Sequence, residues 1–212
     1  MIVLDETRAV FNASAAELER AKEEFRRCHA VRLAGFLAPG FLAKVVSQLK
    51  EATFAPKAHE GIGHELVCWD SPATDALLFV HNDPHLFRLI TQLSGVGPIG
   101  CFLGRIYRMT AESAHHEAWH SDVGASRLLA LSINISAEPY RGGTTILREQ
   151  GRPETERRLD NPTPGDAILF RIDPALEHAI TDVEPGPPKT AWAGWFRSEP
   201  SFLDVLAGKA QF

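Results

Sequence analysis

The chain has 212 residues, 44% apolar and 23% charged, with a net charge of −5 and a mean hydropathy of −0.12. That is long enough for a full core, and it excludes a low-complexity or disulfide-scaffold protein and gives no electrostatic footprint for nucleic acid. No apolar run reaches the roughly 18–20 residues of a membrane span. Met1–Arg8 lacks the form of a secretory signal, and Cys28, Cys68 and Cys101 are few and odd in number, so a cytoplasmic location is expected.

Ser14-Ala-Ala-Glu17 has the form of a capping box and predicts a helix to about Cys28, with Leu18, Ala21 and Phe25 along one face. Ala30–Phe36 alternates as a short strand does. Pro39 suits the first turn of a second helix running to about Ala52, where a missing N–H costs nothing. Strand-like pieces within 53–70, chiefly Glu65–Trp69, precede two helices over about 71–80 and 84–94, the second opened by Asn82-Asp83-Pro84. After Gly95 the pattern changes. Pro98–Met109, Leu128–Ser136, Thr144–Leu147, Asp166–Ile172, His178–Val183 and Thr190–Arg197 are short apolar or alternating runs. Gly142-Gly143, Asn161-Pro-Thr-Pro-Gly165 and Glu184-Pro-Gly-Pro-Pro188 punctuate them, and Ser201–Ala207 adds a last helical turn. Closely spaced strands between turns indicate a sandwich or barrel. The expectation is a single α+β domain over 1–212, mainly β in its core, with supporting helices over about 1–95 and the β core over about 98–198.

His120-Ser-Asp122, followed by His178 and then Lys189, carries the chemistry. On a strand, residues i and i+2 share a face, so His120 and Asp122 can reach one ion, and His178 can join them from another strand. Two imidazoles and a carboxylate on one side of a divalent iron leave the other side open to a bidentate co-substrate and dioxygen. Lys189 then supplies the cation that a dicarboxylate such as 2-oxoglutarate needs at its far end. With nine histidines in the chain, a His-x-Asp triplet alone arises by chance, so the weight rests on His178 and Lys189 coming after it in that order.

His116-Glu-Ala-Trp-His120 also matches H-E-x-x-H, the helical zinc site of metalloproteases, with Glu117 as general base. That reading needs a helix. Ser121-Asp-Val-Gly124 comes immediately after and favours termination.

The order Arg105-Ile-Tyr107, His120-Ser-Asp122, Leu131-Ser-Ile-Asn134, Gly142-Gly143-Thr-Thr, Pro164-Gly-Asp-Ala-Ile-Leu-Phe170, His178, Lys189 and Gly194-Trp-Phe196 resembles the 2-oxoglutarate and Fe(II)-dependent dioxygenases, nearest to their prolyl-4-hydroxylase-like branch. The resemblance covers roughly residues 98–198. It implies a double-stranded β-helix, that is, a cupin-like jelly roll with the metal in its mouth. His120, Asp122 and His178 would bind Fe(II). Lys189 and Tyr107 would hold the distal carboxylate of 2-oxoglutarate, with Thr190 assisting, and ascorbate is the candidate accessory reductant. The activity implied is hydroxylation of an unactivated C–H bond in a small molecule or peptide, with release of succinate and CO2. The partners implied are dioxygen, 2-oxoglutarate and an unidentified organic substrate, with neither nucleic acid nor membrane.

The alternatives are a zinc metalloprotease using His116, Glu117 and His120, a catalytically silent jelly-roll binding module, and another metal in the same triad working without 2-oxoglutarate. Arg105 and Arg197 compete with Lys189 as carboxylate partners. Trp192 and Trp195 read as core or pocket wall, and Asn134 as either a satisfied core amide or a contact near the metal. Substrate selectivity is expected in the loops over 55–70, 110–119 and 149–163.

Overall fold

The computed structural model describes residues 2–111, 117–160 and 163–209. A short hairpin, β1 (Ile2–Leu4) with β2 (Ala9–Phe11), comes first and has no sequence signal of its own. Helix α1 (Ala15–Cys28) starts at the expected box: the Glu17 N–H donates to Ser14 Oγ, and the Ser14 N–H donates to the Glu17 carboxylate at 2.7 Å. Leu18, Ala21 and Phe25 form its buried face. Strand β3 (Ala30–Leu33) and helix α2 (Pro39–Gln48) follow, the helix ending four residues short of the expected Ala52. A hairpin, β4 (Ala55–His59) with β5 (Gly63–Cys68), occupies the stretch read as strand-like. Helix α3 (Pro72–His81) is capped by Ser71. Helix α4 (Pro84–Ser94) is capped by Asp83 and stops at Gly95, whose φ of 69° suits glycine.

The remaining strands are β6 (Cys101–Met109), β7 (Glu117–His120), β8 (Arg127–Asn134), β9 (Thr145–Glu149), β10 (Arg157–Leu159), β11 (Ala167–Arg171), β12 (Leu176–Ile180) and β13 (Lys189–Arg197), with α5 (Phe202–Leu206) last. Their order across the sheet is β10-β9-β12-β7-β5-β6-β13-β8-β11-β3, with β4 flanking β5. The sheet curls on itself. The step from β7 to β5 rests on a single register pair, Glu117 with Gly63, and divides a large antiparallel layer from the smaller β7-β12-β9-β10 layer. This curled antiparallel sheet is the double-stranded β-helix expected. The first 95 residues are more than helical support, because β3, β4 and β5 are part of it.

Alternation along β13 shows how the layers divide. Trp192 and Phe196 face the helices and join Phe102, Ile106, Leu77 and Leu86 in the main core. Ala191 and Trp195 face the smaller layer. Two lesser clusters bridge the layers, one around Ala130, Phe170 and Leu176, the other around Val67, Tyr107, Met109 and Ile180. The cavity of interest opens between them.

His81 lies wholly inside the main core among Phe36, Phe102 and Trp192. Its Nδ1 donates to the Leu77 carbonyl at 2.7 Å, while Nε2 has no hydrogen-bond partner among the described residues. Burial pulls its pKa down to about 4, against the Leu77 bond. A folded pKa below the unfolded value means the unfolded chain binds the proton first. The neutral form's stability is therefore whole above pH ~6.5 and is lost as pH falls towards 4. His81→Leu should make the slope of unfolding free energy between pH 6 and 5 shallower by up to about 1.4 kcal/mol per pH unit. Urea titrations at the two pH values measure it.

Candidate metal centre

Strands β7 and β12 pair so that His120 stands opposite His178 and Glu117 opposite Ile180. Three steps on β7 match two on β12, which marks a bulge in β7. Without it, Glu117 and His120, three apart, would face opposite ways. With it, both line the cavity. The His120 Nδ1 donates to the Ala118 carbonyl at 2.7 Å, which fixes the tautomer and leaves Nε2 unprotonated. The rings of His120 and His178 lie 4.2 Å apart between centroids.

Asp122 lies beyond the end of β7. The i, i+2 strand argument therefore does not describe how it reaches His120; the turn after the strand brings it back. One Asp122 oxygen stands 4.0 Å from His120 Nε2 and the other 3.6 Å from His178 Nε2. Trp195 Nε1 donates to Oδ2 at 2.6 Å, Arg127 donates to Oδ1 at 3.2 Å, and the guanidinium lies 3.8 Å over the indole. Both carboxylate oxygens are thus aimed. Cis donors on bonds of ~2.1 Å sit about 3 Å apart, so movements under ~1 Å would close these three groups on one ion. Desolvation holds the His178 pKa near 4, against the pull of Asp122, so its ring is neutral at physiological pH, as a ligand must be.

A cavity of about 220 Å³ extends from these groups, with Arg105, Tyr107, Glu117, Phe170 and Trp195 in its wall. The Tyr107 hydroxyl is buried and has no hydrogen-bond partner among the described residues, and burial raises its pKa well above the usual value. Lys189 is 3% exposed; its ammonium donates to the Gly143 carbonyl at 2.7 Å and stands 5.5 Å from the centre of the Tyr107 ring. Burial lowers its pKa to about 8, with Glu117 and Glu65 opposing. Thr190 is not brought to the site. Alternation turns it to the other face of β13, where its hydroxyl accepts from Arg108 and its N–H donates to Ser136 Oγ.

Among the other expected groups, Arg105 is paired with Glu65 at 2.6 Å, and Arg197 donates to the Ala125 carbonyl on the exposed side. Trp192 is core, Trp195 is wall, and the Asn134 side chain accepts from the Ser136 N–H. None of the described residues of the loop over 149–163 lines the cavity. Arg152 pairs with Glu149 and Glu154, and nearby Arg148 pairs with Glu177 and stacks on Trp119. The hairpin within 55–70 does line it, through His59 and Ile62. Sequence reasoning misses Glu65, whose carboxylate joins Arg105 to His59 at 2.7 Å. Its alternation with Val67 puts a charge on an apolar inward face, which is the available signal. Arg127 gives no such signal. The helical zinc-protease reading is overturned: Glu117–His120 is a strand hydrogen-bonded to β12, and His116 lies outside the described residues.

The family model for the 2OG-Fe(II) oxygenase superfamily matches residues 104–197. Among solved structures, the chain is similar to a 2OG-Fe(II) oxygenase family oxidoreductase from Burkholderia pseudomallei, at a TM-score of 0.69 and 16% identity over 95% of this chain and 98% of that one. It is also similar to a prolyl-4-hydroxylase from Pseudomonas putida, at a TM-score of 0.64 and 17% identity over 86% and 100% of the two chains. The epimerase SnoN, in a complex with Fe3+, alpha-ketoglutarate and nogalamycin RO, gives 0.61 and 17% over 94% and 93%. No curated protein matches by sequence. The matched segment holds both histidines, Asp122, Tyr107 and Lys189, and over it the chain is similar to the 2OG-Fe(II) oxygenase superfamily, oxidoreductases that use that metal and that keto acid.

Proposed function

We propose that the protein is a hydroxylase in which His120, Asp122 and His178 hold Fe(II), and Lys189 with Tyr107 receives the distal carboxylate of 2-oxoglutarate. The observation that carries the second half is the orphaned Tyr107 hydroxyl beside a buried ammonium. A buried donor without an acceptor costs about 1–3 kcal/mol, and a carboxylate there would satisfy it. The donor set of two neutral imidazoles and one carboxylate suits a divalent iron. When bound, iron and keto acid together supply the oxidising power, drawn from dioxygen and the decarboxylation of 2-oxoglutarate to succinate and CO2.

The chain's own groups position and shield that chemistry. Trp195 and Arg127 keep Asp122 from rotating away. The Ala118 carbonyl holds the His120 tautomer. Phe170, Ile180 and the two bridging apolar clusters keep water from the inner end. The substrate, a small organic molecule or peptide, enters past His59, Ile62 and Trp195, and these side chains set its fit.

The test is anaerobic addition of Fe(II) and 2-oxoglutarate. A weak visible charge-transfer band is expected, followed in air by slow conversion of 2-oxoglutarate to succinate without any substrate when ascorbate is added to supply the remaining two electrons. Metal uptake with neither band nor succinate would show that 2-oxoglutarate is not the co-substrate of this site.

A further inference from the structure

Glu117 is a cavity carboxylate that the iron triplet leaves unused. The bulge in β7 turns it inward beside His120, and one of its oxygens, a His120 nitrogen and a His178 nitrogen all lie within 4.8 Å of one another. It is a second carboxylate within reach of the same pair of imidazoles. Its ion pair with Arg105 is long, 3.8 Å, because Arg105 is drawn to Glu65 at 2.6 Å. Only 12% of the Glu117 side chain is exposed, so it has little water to make up the difference. Its charge also acts on Lys189 and on Tyr107 of the cavity wall. One side chain therefore stands within reach of the imidazole pair and acts by its charge on Lys189 and Tyr107 as well.

We infer that Glu117 is a displaceable fourth ligand, which holds the metal before the co-substrate arrives and yields its place to the keto acid. The inference rests on the proposed function of the site. Three protein donors leave room for a bidentate keto acid and for dioxygen, whereas four do not, so Glu117 has to leave before turnover. In the exchange the metal bond to Glu117 and one to a bound water would give way to the two that the bidentate keto acid makes, with no covalent bond changed within either molecule. Arg105 receives the released side chain, which is already 3.8 Å away. The device keeps the metal from reacting with dioxygen before the keto acid is bound.

The test uses Mn(II) as a redox-silent probe and 2-oxoglutarate itself, in wild type and Glu117→Gln. Free Mn(II) is followed by its EPR signal and keto-acid binding by calorimetry. Without 2-oxoglutarate, the variant should bind Mn(II) about tenfold more weakly, a size typical of losing one supporting group at a metal. On the Mn(II)-loaded protein it should bind 2-oxoglutarate more tightly than wild type, since nothing has to be displaced. Unchanged affinities for both would overturn the inference. So would weaker metal binding with no gain for the keto acid, which would make Glu117 a fixed ligand or a structural group. Unfolding midpoints check the fold, and Glu117→Ala serves under the same criteria if the glutamine variant does not fold. A wild type that binds neither probe would sink the functional proposal first, and this inference with it.

Discussion

His178→Ala is expected to abolish stoichiometric Fe(II) binding while leaving a folded protein. The imidazole faces His120 across the β7–β12 ladder and stands 3.6 Å from Asp122, so its loss leaves one nitrogen donor where the iron needs two. Loss of about 4 kcal/mol of binding, roughly a thousandfold in Kd, is the expected scale. The fold should tolerate the change. The ring contacts Phe170 at 4.9 Å between centroids, and truncation forfeits that packing. It also removes a buried imidazole whose folded pKa of about 4 works against folding as the pH falls below ~6.5. The purified variant should hold no iron after dialysis, show no charge-transfer band, and melt within a few degrees of the apo wild type at pH 7.5. Iron retained at one per chain would remove His178 from the ligand set.

Lys189→Met should leave metal binding intact and cost 2-oxoglutarate about 2–5 kcal/mol, that is, roughly thirtyfold to several thousandfold in affinity. The stem of Lys189 is closely packed: a Cβ on Gly143, itself at a φ of 56°, would come within 2.9 Å of the lysine Cδ. That leaves no slack for a guanidinium, so arginine should not rescue the variant even though its charge is the same. Titration gives a second reading. Because burial lowers the Lys189 pKa to about 8, the ammonium that attracts the carboxylate is present below that pH and lost above it. Wild-type affinity for 2-oxoglutarate should therefore fall as the pH passes from 7 to 9, and the weak residual affinity of Lys189→Met should stay flat. Calorimetric titrations across that range decide it. Equal pH dependence in the two proteins would place the cation elsewhere.

How much of the molecule is legible in its sequence depends on how local the cause is. The cap of α1 is written in four consecutive residues, and the start of α4 in three, so both appear where the pattern puts them. The β strands show in alternation, but alternation gives two faces without saying which one meets the cavity. Lys189 is proposed from its position after His178, and its side chain is buried near the Tyr107 ring, whereas Thr190 is suggested by adjacency alone; adjacency on a strand is the arrangement that sends two side chains apart. Asp122 is the opposite case, since the triplet reads as strand and the strand ends at His120. The bulge that turns Glu117 inward depends on pairing with β12, some sixty residues away, and the Arg105–Glu65 pair on strands forty residues apart. Neither leaves a mark within a short window. Strands β1 and β10 are three residues each, too short for a period to show.

Strand β13 makes the active site and the fold neighbours along one chain. Ala193 and Trp195 line the cavity and Ala191 packs in the cluster beside it, while Trp192 and Phe196 anchor the helices and Gly194 is pressed against the Leu103 carbonyl, with no room for a Cβ. Damage along it would alternate in kind: one residue spoils binding in a protein that still expresses well, and the next removes the protein from the soluble fraction. Selection for a new substrate has little freedom on this strand, because each altered pocket residue lies between two that the fold cannot spare. The β4–β5 hairpin, which reaches the cavity with His59 and Ile62 from the edge of the sheet, carries no such double duty. Divergence of specificity has its cheapest route there.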